Sequence, residues 1–187
     1  MATTSNTNFW TNAPSADPKR GFRFKITMEN LGGGMLWMAK KANRPTVTLT
    51  EAKHDYLNHS FYWPARAEWN EVSITLVDPT DPDIADSLLS FMEASGYNIP
   101  GQPDTDGELS SISKSGAISA TGAITIQQID ESGNTLETWI LKHAWIKEID
   151  FSELDYSNDD LSEVTLKVRY DWAQFQAKNA SKARFEP

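Results

Sequence analysis

One stretch of the chain decides the fold: Val164-Thr165-Leu166-Lys167-Val168-Arg169-Tyr170-Asp171-Trp172-Ala173. Apolar or aromatic residues occupy every second position as far as Tyr170, and polar or charged residues occupy the positions between them. Successive side chains of a strand point to opposite faces, so a period of two is typical of a strand with one buried face. The sequence therefore predicts a half-buried strand from Leu161 to Tyr170.

Similar patterns predict strands along most of the chain. Phe22 to Met28 alternates in the same way, and so does the segment from Val72 that closes at Asp78-Pro79. Further strands are predicted at four places: Met35 to Ala39, Thr46 to Thr50, Gly122 to Asp130 and Thr138 to Phe151. The last two flank the turn-forming tetrapeptide Glu131-Ser132-Gly133-Asn134, which makes them a predicted hairpin.

A single helix is predicted at about residues 82–95. Asp81 is a good N-cap, Pro82 suits the first helical position, and Gly96 follows the last turn. Apolar residues at helical spacing give this helix one face to bury: Ile84, Leu88, Leu89, Phe91 and Met92. Strands that do not alternate with helices favour an antiparallel arrangement, so the expected fold is a mainly β sandwich or barrel with one α-helix.

The charge of the chain excludes some functions and suggests another. The 187 residues carry a net charge of -9 and no cysteine. An acidic chain does not grip nucleic acid through a basic surface, because Lys and Arg supply most of that affinity. Residues 1–66 hold nine basic and four acidic residues, whereas residues 67–113 hold ten acidic residues and no basic ones. If these blocks lie on opposite faces, copies attract head to tail; the alternative is a solvated surface with accidental clustering.

The sequence predicts no catalytic residue, no metal site and no cofactor. None of the three histidines lies in a nucleophile motif, and His54 and His59 are five residues apart in a segment expected to be extended. A glycan-acting module is a separate possibility, with Glu68 and Glu71 as the carboxylates and Trp63 or Trp69 as the sugar platform. No apolar run resembles a signal peptide or is long enough to cross a bilayer, so we expect synthesis in the cytoplasm and no membrane partner.

Three segments together resemble one protein family. The first runs from Asp150-Phe151-Ser152-Glu153-Leu154-Asp155-Tyr156-Ser157-Asn158-Asp159-Asp160 into Val164 to Ala173. The others are Ala67 to Pro79 and Trp139 to Ile149. The combination resembles the tail tube proteins of contractile-tailed bacteriophages, over about Phe22 to Phe175.

The resemblance implies a fold of the tail tube type, related to Hcp of type VI secretion, and a structural role in place of an enzymatic one. It implies hexameric rings that stack head to tail into a hollow tube inside a contractile sheath. The implied partners are the chain itself, the sheath protein, the baseplate tube initiator, the tape measure and the tail terminator. DNA would pass through an acidic lumen without specific binding, in a virion assembled in the host cytoplasm. Two alternatives remain: the inner tube of a type VI or extracellular contractile injection system, and a glycan-binding β-module.

The resemblance also implies roles for particular residues. The signature residues, expected at subunit edges or in the core beneath them, are Trp69, Asp155, Tyr156, Arg169, Tyr170 and Trp172. Arg169 is expected to form an ion pair with Asp155 or Asp171, across either a turn or a subunit interface. Beyond what the resemblance implies, our own hypothesis is that residues 30–42 form a loop that reaches the next ring, with Gly32, Gly33, Gly34, Lys40 and Lys41 in it.

The expected domain organisation has one folded unit and three additions. The unit is a tail tube domain at 22–175. The additions are an N-terminal arm at 1–21, a loop insertion at 100–122 and a C-terminal tail at 176–187. We expect the arm and the tail to contact neighbouring subunits.

Overall fold

The computed structural model of the chain describes residues 18–30, 37–81, 83–99, 111–157, 159–178, 180 and 182–186. Ten strands lie in this part of the chain: β1 (Phe24–Met28), β2 (Ala39–Ala42), β3 (Val47–Tyr56), β4 (His59–Trp69), β5 (Val72–Val77), β6 (Ile124–Ile129), β7 (Thr135–Lys142), β8 (Trp145–Phe151), β9 (Glu163–Arg169) and β10 (Trp172–Ala177). Two helices accompany them, α1 (Ile84–Ala94) and α2 (Lys114–Thr121).

The strands form two four-stranded sheets and a separate hairpin. Sheet A has the order β1-β6-β7-β10, and sheet B has the order β2-β5-β9-β8. Strands β3 and β4 pair only with each other in a two-stranded sheet, and all paired strands are antiparallel. The predicted mainly β, antiparallel fold class is confirmed, with a second helix that the sequence did not predict.

The two sheets share one apolar core, which α1 completes. Sheet A buries the inward side chains of β1, β6 and β7 in it, and sheet B buries those of β5 and β9. The largest fully buried apolar side chains are Met38, Val72, Ile74, Ile84, Leu88, Ile124, Leu141, Val164, Leu166 and Val168. Strand β9, which contains the alternation that begins at Val164, therefore lies in the middle of sheet B with its alternate residues buried as predicted.

Helix α1 begins two residues later than the predicted cap implies. Asp83 is the N-cap, and its side chain accepts a hydrogen bond from the Asp86 backbone nitrogen at 3.2 Å. Asp81 and Asp83 flank the same proline and suit the role equally, so the local pattern did not distinguish them. At the other end Gly96 adopts φ +98°, and a Cβ there would lie 2.9 Å from the Ser111 carbonyl oxygen, so both backbone and space require glycine.

Helix α2 contradicts the prediction of a continuous loop at 100–122; residues 100–110 of that segment lie outside the described residues. Ser113 caps the helix by accepting a hydrogen bond from the Gly116 backbone nitrogen at 3.0 Å. Helix α2 packs against α1 and β8. Its Gly, Ser and Thr content is unfavourable for an isolated helix, so tertiary packing stabilises it and the local sequence did not reveal it.

Several predicted boundaries differ from those of the structure. Of the strand predicted at 35–39, residues 35 and 36 lie outside the described residues, and β2 runs from Ala39 to Ala42. The strand predicted at 138–151 is two strands, because His143 adopts a left-handed φ of 54° and turns the chain from sheet A to sheet B. The predicted domain end at 175 falls inside β10, and beyond it Arg184 pairs with Phe175 through two backbone hydrogen bonds.

Candidate assembly interface

The β3–β4 hairpin is long and exposed. Its register runs from Val47 opposite Trp69 to Tyr56 opposite His59, and the left-handed Leu57 (φ 52°) lies in the turn. All but three of its residues are exposed, in contrast to the strands of the two sheets. The sequence predicted only the start of β3, so the hairpin as a unit was missed.

One face of the hairpin is aromatic. The opposed pairs Tyr56–His59, His54–Phe61 and Ala52–Trp63 place their side chains on it. The His59 and Phe61 rings meet edge to face with centroids 4.7 Å apart, and those of Phe61 and Trp63 are 6.0 Å apart. The centroids of the His54 and Trp63 rings are 6.2 Å apart. The rings therefore form one continuous cluster, which we call the aromatic face.

In the outer part of the hairpin, the opposite face is polar apart from the exposed Tyr62. Ser60 donates a hydrogen bond from Oγ to Asp55 Oδ1 at 2.5 Å, and Lys53 forms an ion pair with the same carboxylate at 3.0 Å. These contacts hold the pKa of Asp55 below its usual value, with the Ser60 hydrogen bond as the largest cause. A strand pair with one polar face and one apolar face is built to be covered on one side.

The aromatic face is the strongest candidate for a protein interface. Soluble monomers rarely expose large contiguous apolar patches, and patches bordered by polar residues mark interaction sites. An isolated two-stranded hairpin is also marginally stable in water, so a partner on its apolar face would stabilise it. Aromatic side chains supply much of the binding energy where they are buried between proteins.

The hairpin root is attached to the sandwich on two sides. On the β4 side, the Trp69 ring lies 6.1 Å from that of Tyr170 and meets Phe185 edge to face at 5.7 Å. On the β3 side, Arg44 Nη1 donates to Glu137 Oε1 at 3.2 Å, and Lys19 forms an ion pair with the same carboxylate. Burial raises the pKa of Glu137, but these two cations outweigh it and leave the pKa below its usual value.

Four of the signature residues lie near this root. Tyr170 is 3% exposed, and burial raises its pKa to about 12. Arg169 lies next to it in sequence and approaches Glu71 at 3.9 Å. Trp172 packs edge to face against His143 at 5.0 Å. With Trp69, these residues line the corner where the chain passes from β9 to β10.

The other two signature residues lie at the opposite end of β9. Asp155 accepts hydrogen bonds from the backbone nitrogen and Oγ of Ser157, at 2.9 and 2.8 Å, and these bonds lower its pKa. Tyr156 beside it is fully exposed. The fold therefore does not bring the six signature residues together in one subunit.

The predicted ion pair of Arg169 with Asp155 or Asp171 does not form within the subunit, and a pair across an interface stays a prediction. Asp155 is separated from Arg169 by the length of β9, and Asp171 instead contacts Lys114 Nζ and His143 Nδ1, each at 2.8 Å. Lys114 is the main cause of the lowered pKa of Asp171. These partners come from α2 and the β7–β8 corner, which the sequence pattern did not place beside Asp171.

The predicted inter-ring loop is only partly described. Gly32, Gly33 and Gly34 lie outside the described residues. Lys40 and Lys41 are not in a loop but in β2, where Lys40 forms an ion pair with Glu163 across sheet B. These lysines therefore lie on a sheet, and the projecting segment with exposed aromatic residues is the hairpin that follows.

The residues considered for glycan chemistry are separated by their roles. Trp63 belongs to the aromatic face, whereas Trp69 packs at the hairpin root. Glu71 binds Lys147 Nζ at 2.5 Å, and this contact lowers its pKa. A general acid needs a raised pKa, so Glu71 is not arranged as one. Within the described ranges there is no group of three side chains suited to a metal ion, and no helix long and apolar enough to span a membrane.

Comparison with known proteins identifies the fold. No family model and no curated protein matches the sequence. A chain in the sheath–tube complex of an extracellular contractile injection system (PVC, extended state) matches with a TM-score of 0.62 and 14% identity, over 91% of this chain and 99% of that one. The fold is that of contractile injection system tubes.

Two further structures belong to the anti-feeding prophage. A chain of its tube-terminating cap has a TM-score of 0.61 and 14% identity, over 95% of this chain and 99% of that one. A chain of its six-fold symmetrised baseplate has a TM-score of 0.60 and 13% identity, over 88% and 99%. The predicted relation to tube proteins is thus confirmed at the level of the fold, although the sequence identities to these structures are only 13% and 14%.

Proposed function

We propose that the chain is the tail tube subunit of a contractile phage tail, which forms stacked hexameric rings around a lumen through which DNA is ejected. The aromatic face of the β3–β4 hairpin carries this proposal, because it is an apolar surface that a monomer leaves uncovered. The tube-type fold supports it independently. The role is structural, and the energy of assembly comes from burial of this face in a neighbouring copy.

The partners follow from the same role. A hairpin that docks on a different surface of the next copy makes a heterologous contact, and such contacts close into rings or extend into filaments. The acidic net charge supports a lumen through which DNA passes without specific binding. The sheath, the baseplate initiator, the tape measure and the tail terminator complete the proposed set of partners.

A second candidate function is the inner tube of an extracellular contractile injection system, which carries effectors in place of DNA. The observation that favours it is the set of similar structures, which come from such systems and from the anti-feeding prophage. Both candidates require the same subunit assembly. The genes beside this one distinguish them, because a phage tail is encoded with capsid and portal proteins.

The test of assembly is negative-stain electron microscopy of the purified chain over a concentration series, combined with light scattering after size exclusion. We expect rings or hollow tubes of uniform width. Phe61→Asp places a charge on the aromatic face and is expected to leave monomers. Leu89→Asp is the matched control, because Leu89 is similarly exposed on α1 and lies outside the hairpin.

Two results would overturn the proposal. The first is a wild-type chain that remains monomeric even when concentrated or seeded with baseplate. The second is a Phe61→Asp chain that assembles as well as the Leu89→Asp control. A monomer whose Trp63 or Trp69 fluorescence responds to sugars would support the glycan-binding module instead.

A further inference from the structure

Glu137 is an unusual residue in this fold. It is the one buried charged residue in the described part of the chain, with 4% of its surface exposed. It lies on β7, in the middle of sheet A. Alternation along β7 places it on the same face as Trp139 and the core residue Leu141. A carboxylate removed from water in this way is costly unless cations or hydrogen-bond donors compensate it.

The compensating cations come from two distant segments. Lys19 precedes Glu137 by 118 residues and Arg44 precedes it by 93. Both cations remain at least half exposed, so each reaches inward from the surface to one buried acceptor. The carboxylate thereby joins the segment before β1, the connection between β2 and β3, and the centre of sheet A.

The position of Arg44 connects the ion pairs of Glu137, which we call the Glu137 node, to the hairpin. Arg44 lies three residues before the first residue of β3, and the intervening Pro45 is buried. Proline fixes its own φ and restricts the residue before it to extended conformations. The connection from Arg44 to β3 is therefore short and stiff, so the position of Arg44 restricts the direction in which β3 leaves the sandwich. Asn70 closes the other strand of the root by donating from its backbone nitrogen to the Thr46 carbonyl at 2.9 Å.

We propose that Glu137 is a positioning residue for assembly: it fixes the direction in which the hairpin leaves the sandwich and couples that direction to the N-terminal segment through Lys19. This inference rests on the proposed function, because a fixed direction matters only if the hairpin docks on another copy. A hairpin held in its docking direction loses less conformational freedom on association, which strengthens binding without any new contact. Ion pairs to a buried acceptor are also screened less by salt than surface pairs.

The chain contains no cysteine, so two introduced cysteines can be spin-labelled without interference. We choose Glu51→Cys on the polar face of the hairpin and Thr27→Cys on the exposed side of β1. Pulsed electron paramagnetic resonance on the monomer fraction then gives the distribution of distances between hairpin and sandwich. We expect one narrow distribution for the labelled parent and about a twofold broader one after Glu137→Gln.

The same variant is expected to raise the concentration needed for assembly by about tenfold, which corresponds to about 1.4 kcal/mol per contact. Glu148→Gln is the matched control, because it breaks the surface ion pair of Lys167 by the same substitution on sheet B. It should change neither the distance distribution nor assembly. If Glu137→Gln does not fold, Arg44→Gln tests the hairpin side of the node alone, with the same two readouts.

The distance distribution and the assembly threshold each test whether Glu137 positions the hairpin. A distance distribution as narrow as that of the parent, or an assembly threshold equal to that of Glu148→Gln, would overturn the inference. A residue needed only for stability changes neither the distance distribution of the folded monomer nor the concentration at which folded monomers assemble. A wild-type chain that never assembles would overturn the proposed function. The distance measurement on the monomer would still show whether Glu137 holds the hairpin.

Discussion

The sandwich and the hairpin are built from similar strand patterns but bury them to opposite extents. In sheet B every second residue of β5 and β9 is buried between the sheets. In the hairpin the corresponding alternation places His59, Phe61 and Trp63 on one face, and all three remain exposed. The same periodicity thus serves folding in one region, whereas in the other it presents an uncovered surface.

The difference in burial implies that the residues that stabilise the fold and the residues available for association are different ones. The core includes residues from both four-stranded sheets and from α1, but the aromatic face of the hairpin is not part of it. Substitutions in the sheets should therefore act on the free energy of unfolding, and substitutions on the aromatic face should act on association. Measurements on matched residues in the two regions test this division directly.

The largest expected effect comes from the same substitution in each region. Leu166 is fully buried in β9 and Leu49 is 63% exposed in β3. Leu166→Ala should cost about 2–5 kcal/mol and lower Tm by about 5–15 °C, because it leaves a cavity. Leu49→Ala should change the monomer by less than about 0.5 kcal/mol. Calorimetry of dilute monomer checks both, and equal losses would show that the hairpin belongs to the folding core.

A smaller effect is expected at Glu137, where the two regions join. Its pKa in the folded chain lies below its usual value, so its contribution to stability is present above the usual carboxyl pKa and is lost as the pH falls through the folded pKa. Glu137→Gln should cost about 1–2 kcal/mol at pH 7, discounted for the exposure of both cations.

The pH dependence of that difference is the measurement. The gap in Tm between wild type and Glu137→Gln should narrow progressively once the pH is below about 4, where free glutamate takes up its proton. Glu163→Gln removes a surface ion pair and should cost little at neutral pH. A gap at Glu137 that stays constant into acid would mean that the charge of the carboxylate is not what joins the hairpin root to sheet A.

The smallest effect is expected at Tyr170, beneath the hairpin root. Its hydroxyl is buried and has no hydrogen-bond partner within the described part of the chain. Tyr170→Phe removes an unsatisfied polar atom and keeps the ring contact with Trp69, so it should leave stability unchanged or raise it by up to about 1 kcal/mol. Tyr156→Phe at a fully exposed hydroxyl is the control and should have no effect.

The stability of the chain at alkaline pH is a second test of the buried Tyr170 hydroxyl. The pKa of Tyr170 is raised to about 12 in the folded chain. A tyrosine ionises near pH 10 in the unfolded chain, so wild type should lose stability between about pH 10 and pH 12. Tyr170→Phe should not show this part of the loss, and the difference in Tm should widen in that range. A constant difference would mean that the phenol is accessible to solvent at the root.

Local sequence predicted the elements whose signals are local. Alternation from Val164 to Tyr170 corresponds to β9, and the Asp-Pro-Asp segment with Gly96 bounded α1 to within two residues. Helix α2 and the break at His143 were missed, because packing against other elements and a left-handed backbone angle determine them. The partners of Asp171 and Glu137 were missed for the same reason, since each lies far away in sequence.

The residue pattern is enough to predict an antiparallel β protein with one helix marked by its capping residues, an acidic net charge and many aromatic residues. Which of those aromatic residues are buried depends on the tertiary structure. A period of two shows that a strand has two different faces, but it does not show what covers either face. Tyr170 is covered by its own chain, whereas Phe61 and Trp63 are exposed on a hairpin whose direction depends on contacts between distant segments.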